Sequence, residues 1–222
     1  MPFTADLFAD DARPPGEPER LPLSPGAVLL RGLAVAEAVA LCAEVAAVLD
    51  RAPLRHWSTP GGLRMAVAMS NCGALGWVSD ARGYRYSRTD PHTERAWPAL
   101  PPVCSALATG AAALAGFDGF VPDACLINRY APGVRLSLHQ DRDEQDFTQP
   151  IVSVSLGLPA VFQWGGTRRR EPTRRVPLGH GDVVVWGGPA RLNFHGVMPL
   201  KPGHHPLTGE ARINLTFRRA GP

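Results

Sequence analysis

Along residues 34–50 the apolar side chains recur three and four apart, and Val35, Ala38, Val39, Cys42, Val45, Ala46 and Leu49 share one side. That period predicts an amphipathic helix whose stripe packs on a larger apolar surface. Residues 101–116 carry a second Ala-rich helical pattern, weakened at Gly110 because glycine costs a helix backbone entropy. Elsewhere the period shortens to two. Short apolar, β-branched and aromatic runs fall at residues 27–30, 125–130, 136–141, 151–156, 160–164, 175–178, 182–186, 193–197 and 211–218. Gly165-Gly166, Gly179, Gly187-Gly188 and Pro202-Gly203 separate the later runs with turn chemistry. Many short strands at that spacing predict a mainly β fold, a sandwich or barrel, with the helices as supports.

Two stretches depart from this pattern. Five of the six prolines in residues 1–25 lie between Pro14 and Pro25, which predicts a flexible arm ahead of a single domain over residues 26–222. Residues 52–96 carry Pro60, Gly61, Gly62, Gly73, Gly76 and Gly83 beside Trp57, Trp77, Tyr84 and Tyr86. Loops bearing flat amphipathic faces make a poor core and a good binding surface. With Arg82, Arg85 and Arg88 interleaved, they suit a base and its phosphates, although aromatics packing a loop-rich subdomain would read the same way. Tyr84 and Tyr86 alternate as on a strand, so both face one cleft.

Composition narrows the setting. With 19% charged residues and a formal charge of +3, the chain reads as globular and mildly basic, so an acidic partner is allowed and not demanded. Cys42, Cys72, Cys104 and Cys125 are too widely spaced for a zinc or redox motif and predict reduced thiols. The N-terminus lacks the basic start and apolar run of a signal peptide. The longest apolar stretch, residues 27–49, is interrupted by Arg31, Glu37 and Glu44, so no membrane span is expected and the cytoplasm is the expected compartment.

The candidate chemistry centres on residues 128–141. Ala131-Pro132-Gly133 punctuates two extended runs, predicting a β-turn-β unit. The period of two puts His139 and Asp141 on one face with Gln140 turned away, and pairs Asn128 with Tyr130 on the preceding strand. Imidazole and carboxylate side by side are two ligands of a 2-His-1-carboxylate site. With seven histidines and twelve aspartates, chance supplies roughly 0.4 such triplets, so a strand-end His beside a surface Asp competes with the metal reading. For the third ligand, His56 and His92 lie in the upstream loops, His180 in a glycine-flanked turn and His204-His205 after Pro202-Gly203. His195 remains, on a later strand, where by itself a satisfied structural histidine competes with the ligand reading. The last strand alternates Ile213, Leu215 and Phe217 with Arg212, Asn214, Thr216 and Arg218. The polar face either meets solvent or recognises an anion. At ~3.3 Å per residue Arg212 and Arg218 lie roughly 20 Å apart, and their side chains reach inward far enough to hold opposite ends of a small dicarboxylate.

His139-x-Asp141, His195 and Arg212-x-Asn214-x-Thr216-x-Arg218 together resemble the Fe(II)/2-oxoglutarate dioxygenases, in particular the AlkB branch and its bacterial members. The likeness extends upstream through residues 123–133, 71–73, 59–62 and 6–10. It implies a double-stranded β-helix, or jelly roll, with a nucleotide-recognition lid at about residues 52–95. It implies Fe(II) on His139, Asp141 and His195, with O2 and 2-oxoglutarate as co-substrates. Arg212 and Tyr130 would take the distal carboxylate, supported by Asn128, Asn214 and Arg218. The implied reaction is oxidative demethylation of bases such as 1-methyladenine and 3-methylcytosine, in single- or double-stranded DNA or in RNA, by a monomer. Trp77 would stack on the cationic base opposite His139, Asp143 would meet its exocyclic amine, Tyr84 and Tyr86 the backbone, and Arg169 the pocket or phosphates. Competing readings are a hydroxylase acting on protein or a small molecule, a non-catalytic module binding damaged nucleic acid, and a zinc hydrolase, which leaves Arg212 and Arg218 unexplained.

Overall fold

The computed structural model describes residues 18–221. In chain order the strands are β1 (Glu19–Ser24), β2 (Ala27–Arg31), β3 (Ala68–Gly73), β4 (Gly76–Asp80), β5 (Gly83–Ser87), β6 (Ala124–Tyr130), β7 (Leu136–His139), β8 (Ile151–Gly157), β9 (Ala160–Trp164), β10 (Arg174–Leu178), β11 (Val183–Trp186), β12 (His195–Val197) and β13 (Arg212–Arg218). The helices are α1 (Ala38–Arg51) and α2 (Pro102–Leu114). A seven-stranded sheet runs β1-β2-β11-β8-β13-β6-β3, a four-stranded sheet runs β10-β9-β12-β7, and β4-β5 form a hairpin of their own. All pairings between these strands are antiparallel. The fold is a double-stranded β-helix.

Alternation sorts side chains of the large sheet into two cores. Val152, Val154, Leu156, Val183, Val185, Leu215 and Phe217 point to one face and pack with Leu41, Val45, Ala108 and Ala112 of the helices. Each fully buried side chain of this size contributes about 1.5–3 kcal/mol. The opposite face meets the small sheet, and there Phe162, Trp164, Trp186 and Tyr130 ring the interior. At its centre stand polar residues of the intervening positions: Asn128, Ser153, Ser155, Arg212 and Asn214, all buried.

Several expectations need correction. The arm expected at residues 1–25 lies partly outside the described residues, and Glu19–Ser24 forms an edge strand paired with β2. Leu21 and Leu23, two apart, pack against the inter-sheet core, and Pro22 is tolerated because only one side of an edge strand is paired. The runs around Ala131-Pro132-Gly133 do not pair with each other. β6 belongs to the large sheet and β7 to the small one, so the turn, closed by Val134 N–H to Ala131 O (3.0 Å), carries the chain between layers. The stretch expected as a lid is also not all lid, because β3 is the edge of the large sheet and Trp57 is buried in the core. The hairpin base sits so tightly on β3 and its surroundings that a Cβ at Gly76 would lie 2.4 Å from the Trp97 ring. The four cysteines are free thiols. No helix among the described residues is long and apolar enough to cross a membrane.

Candidate active site

β7 and β12 pair antiparallel with His139 opposite His195, which brings the ring centroids to 4.4 Å. β7 ends at His139, and two residues later Asp141 reaches the same spot. Its Oδ1 is 3.7 Å from His139 Nε2, and its Oδ2 is 3.8 Å from His195 Nε2. One ligand atom from each residue lies within 4.8 Å of the others, the only such cluster of three or more among the described residues. His139 donates Nδ1–H to Ser137 O (2.9 Å) and His195 donates Nδ1–H to Asn193 O (3.0 Å), so each Nε2 keeps its lone pair for the cluster.

Electrostatics set matching protonation states. Burial pushes the Asp141 carboxyl up, but Arg218, His195 and His139 together outweigh it and hold the group well below the usual carboxylate range. Burial, with His139 nearby, pushes His195 down to about 4 against the pull of Asp141. An ionised carboxylate beside a neutral imidazole is what a divalent cation requires. The His139 side chain is 35% exposed, against 10% for Asp141 and 6% for His195, so the cluster opens on the His139 side.

The polar centre of the large sheet contains an unmet demand for an anion. Arg212 is 1% exposed, and its Nη2 donates to Ser155 Oγ (2.9 Å), while Nε and Nη1 have no partner. Its guanidinium carbon lies 5.1 Å from the Tyr130 ring centre, opposite it in register. Burial lowers the Arg212 pKa and raises that of Tyr130. A buried guanidinium with two idle donors calls for a carboxylate, because fork geometry matches two oxygens and an unpaired buried charge is costly. Next to it Asn214 Nδ2 donates to Ser153 Oγ (2.8 Å) and Val154 O (3.0 Å), and Asn128 stands opposite with Oδ1 unpartnered. The donor set therefore fits a small dicarboxylate beside a metal. The strand face that had two readings at sequence level is buried along its whole length.

Arg218, expected at the remainder of that anion, has its charge committed elsewhere. Its Nη2 lies 2.7 Å from Asp141 Oδ2 and its Nε 3.3 Å from Glu144 Oε1. The aromatic candidates gather on the hairpin. Trp77 stacks with Tyr84 (centroids 5.7 Å, planes 14° apart), and Trp77 Nε1–H donates to Asp143 Oδ2 (2.8 Å). Tyr86, opposite Trp77 in register, donates its hydroxyl hydrogen to Glu144 Oε1 (2.6 Å). Arg169 is exposed, with Nη1 on Leu138 O (2.7 Å) just ahead of His139. Arg82 and Arg85, expected to face phosphates, both pair with Asp80 at the hairpin turn.

Four residues of the site escaped the sequence reading. Ser153 and Ser155 carried a signal, two hydroxyls at period two within an apolar strand. Glu144 and Arg191 carried none, since nothing local distinguishes them from surface charges.

This geometry agrees with what known proteins show. The model of the 2OG-Fe(II) oxygenase superfamily matches residues 26–218. Alpha-ketoglutarate-dependent dioxygenase AlkB of Salmonella typhimurium is 57% identical over 97% of this chain and 97% of its own. Its namesake from Escherichia coli is 56% identical over 97% of this chain and 98% of its own. The solved structure of OsALKBH1 matches with a TM-score of 0.81 at 29% identity, covering 90% of this chain and 100% of that one. Fe(II), 2-oxoglutarate and O2 are thus the cofactor and co-substrates, the His139, Asp141 and His195 cluster fits the metal, and the chain belongs to the 2OG-Fe(II) oxygenase superfamily, among its AlkB-type alpha-ketoglutarate-dependent dioxygenases.

Proposed function

We propose that this chain is an oxidative demethylase of N-methylated bases, of the 1-methyladenine and 3-methylcytosine type, in DNA. Single and double strands are both candidate substrates, RNA is a second one, and the enzyme works as a cytoplasmic monomer. The observation that carries this reading is the bond from Trp77 to Asp143, which joins an aromatic plate to an exposed carboxylate two residues past Asp141. A flat cationic ring is what such a pair recognises, through its face and its exocyclic amine.

Residue roles follow. His139, Asp141 and His195 hold Fe(II). Arg212 offers its idle donors to the distal carboxylate of 2-oxoglutarate, with Tyr130 alongside, while Asn128 and Asn214 line the remainder and Arg218 borders it with its charge held by Asp141 and Glu144. With iron and both co-substrates bound, the centre supplies the oxidation that turns an N-methyl group into N-hydroxymethyl, as 2-oxoglutarate and O2 become succinate and CO2. The hydroxymethyl amine then releases formaldehyde and leaves the unmodified base. The target base must leave its stack, which costs least for damaged or single-stranded bases. Trp77 and His139 would then flank it, Asp143 would accept from its amine, and Tyr84, Tyr86 and Arg169 would contact the flanking backbone.

Incubating the protein with Fe(II), 2-oxoglutarate, ascorbate and an oligonucleotide bearing 1-methyladenine or 3-methylcytosine tests this. Mass spectrometry should show loss of one methylene unit. Unchanged oligonucleotide from protein with iron and 2-oxoglutarate bound rejects the proposal, and a panel of methylated DNA and RNA strands ranks the substrates.

A further inference from the structure

Behind the metal ligands lies a buried ionic cluster that neither the triad nor the 2-oxoglutarate pocket explains. Glu144 is 6% exposed and Arg191 3% exposed. Arg191 Nη2 donates to Glu144 Oε2 (2.9 Å), Nε to Gln149 O (3.0 Å) and Nη1 to the main-chain carbonyl of Asp141 (2.7 Å). The other oxygen, Glu144 Oε1, receives the Tyr86 hydroxyl at 2.6 Å and lies 3.3 Å from Arg218 Nε. Arg218 in turn donates to Asp141 Oδ2 (2.7 Å). One carboxylate therefore aims two arginines at the same residue, one at the backbone of Asp141 and one at its carboxylate.

Burying two arginines and two carboxylates is poor value as stabilisation, because desolvation offsets much of their attraction. Their orientation is what the cluster secures. We infer that Glu144 is a positioning residue for the metal ligand Asp141 and ties the β4–β5 hairpin to it through Tyr86. Anchored on Glu144, Arg191 holds the peptide of Asp141 in place, and Arg218 sets the direction of its carboxylate. The Tyr86 hydroxyl completes the acceptor demand of Glu144, and burial keeps that hydroxyl protonated by raising its pKa well above the ordinary value. A displacement of the hairpin releases this hydrogen bond, frees Glu144 to follow Arg191 or Arg218, and alters the carboxylate that meets the metal.

The test uses the full chain without nucleic acid, so its outcome is independent of the substrate reading. Mn(II) is titrated by electron paramagnetic resonance into wild type, Glu144→Gln and Tyr86→Phe, and the visible spectrum of each Co(II)-loaded protein is recorded. Loss of a partner behind a metal ligand weakens metal binding about 10–100-fold. Glu144→Gln is expected near the lower figure, about tenfold. Tyr86→Phe, which removes only a hydroxyl remote from the metal, is expected to weaken Mn(II) about threefold and to change the Co(II) bands. A purely structural role lowers thermal stability without moving either readout. Should Glu144→Gln fail to fold, Tyr86→Phe decides alone. A folded Tyr86→Phe protein with wild-type Co(II) bands and Mn(II) affinity within twofold of wild type overturns the inference.

Discussion

The large sheet and the β4–β5 hairpin both supply side chains around the metal cluster, yet they are held by different means. β13 is paired to β6 along its length and to β8 from Arg212 to Phe217, and all of its residues are buried. Shifting Arg212 or Asn214 means breaking two ladders and two cores. The hairpin strands pair only with each other, and two strands alone are marginally stable in water. Asn71 clips the Trp77 main chain through its side-chain amide (2.9 and 3.0 Å), and Ser79 Oγ donates to Ser58 O (2.6 Å). Trp97 Nε1–H donates to Ser87 O (3.0 Å) and Val78 is buried in the inter-sheet core, while on the site side the polar tips of Trp77 and Tyr86 rest on Asp143 and Glu144. The groups assigned to a constant small molecule are thus locked by backbone pairing. Those assigned to a large and variable substrate are held by side-chain hydrogen bonds that a substrate can exchange for its own.

The largest expected effect breaks the comparison at the one residue assigned to both sides. His139→Ala should abolish succinate release and weaken Mn(II) by more than the about 10–100-fold that loss of an outer partner costs. Affinity for methylated oligonucleotide should fall with it, as read by fluorescence anisotropy. A non-catalytic binding module would keep that affinity.

Arg212→Met probes the locked side alone. Losing two charge-assisted hydrogen bonds, each worth about 1.5–3 kcal/mol, should raise the Kd of 2-oxoglutarate by more than about 100-fold in calorimetry. The protein without 2-oxoglutarate should gain about 1 kcal/mol, or about 2–4 °C in Tm, because an unpaired buried charge gives way to an apolar chain. A Tm that falls instead would mean that Ser155 and Tyr130 already satisfy the guanidinium.

Trp77→Ala probes the exchangeable side. One base–aromatic stack is worth about 1–3 kcal/mol, so oligonucleotide affinity should drop roughly tenfold in anisotropy titrations. The affinity for 2-oxoglutarate should change far less. Equal losses in both would show that the hairpin and the sheet are not separable.

The smallest effect concerns the end of the locked side. Gly157, opposite Arg212, donates its N–H to His180 Nδ1 (3.0 Å), and the His180 and His205 rings are 4.3 Å apart. Burial, then His205, lowers the pKa of His180 below 6.5. The neutral, accepting form is the folded one, so this bond is fully present above about pH 6.5 and is lost as pH falls through the lowered folded value. Thermal melts should show a Tm loss of about 2–4 °C from this bond on acidification, and a His180→Phe protein should lack that component.

Much of this molecule was legible in its residues. Among the described residues, period-two alternation marked ten of thirteen strands, counting the Tyr84 and Tyr86 pair of β5, because alternation between two cores is written directly into apolar and polar positions. His139, Asp141, His195 and the polar side of β13 stood out because metal and anion chemistry restricts residue type. The edge strand β1 was hidden under prolines, and β3 and β4 under glycines that serve close packing, as at Gly76. Residues alone determined which donor atoms this chain owns and at what spacing along each strand. Only the tertiary structure decided which of them are free. It paired Arg218 with Asp141, left Arg212 with idle donors, and buried Glu144 between two arginines from distant parts of the chain. The physical reason is that a strand's period fixes the face of a side chain, whereas its partner and its desolvation depend on the other layers that cover that face.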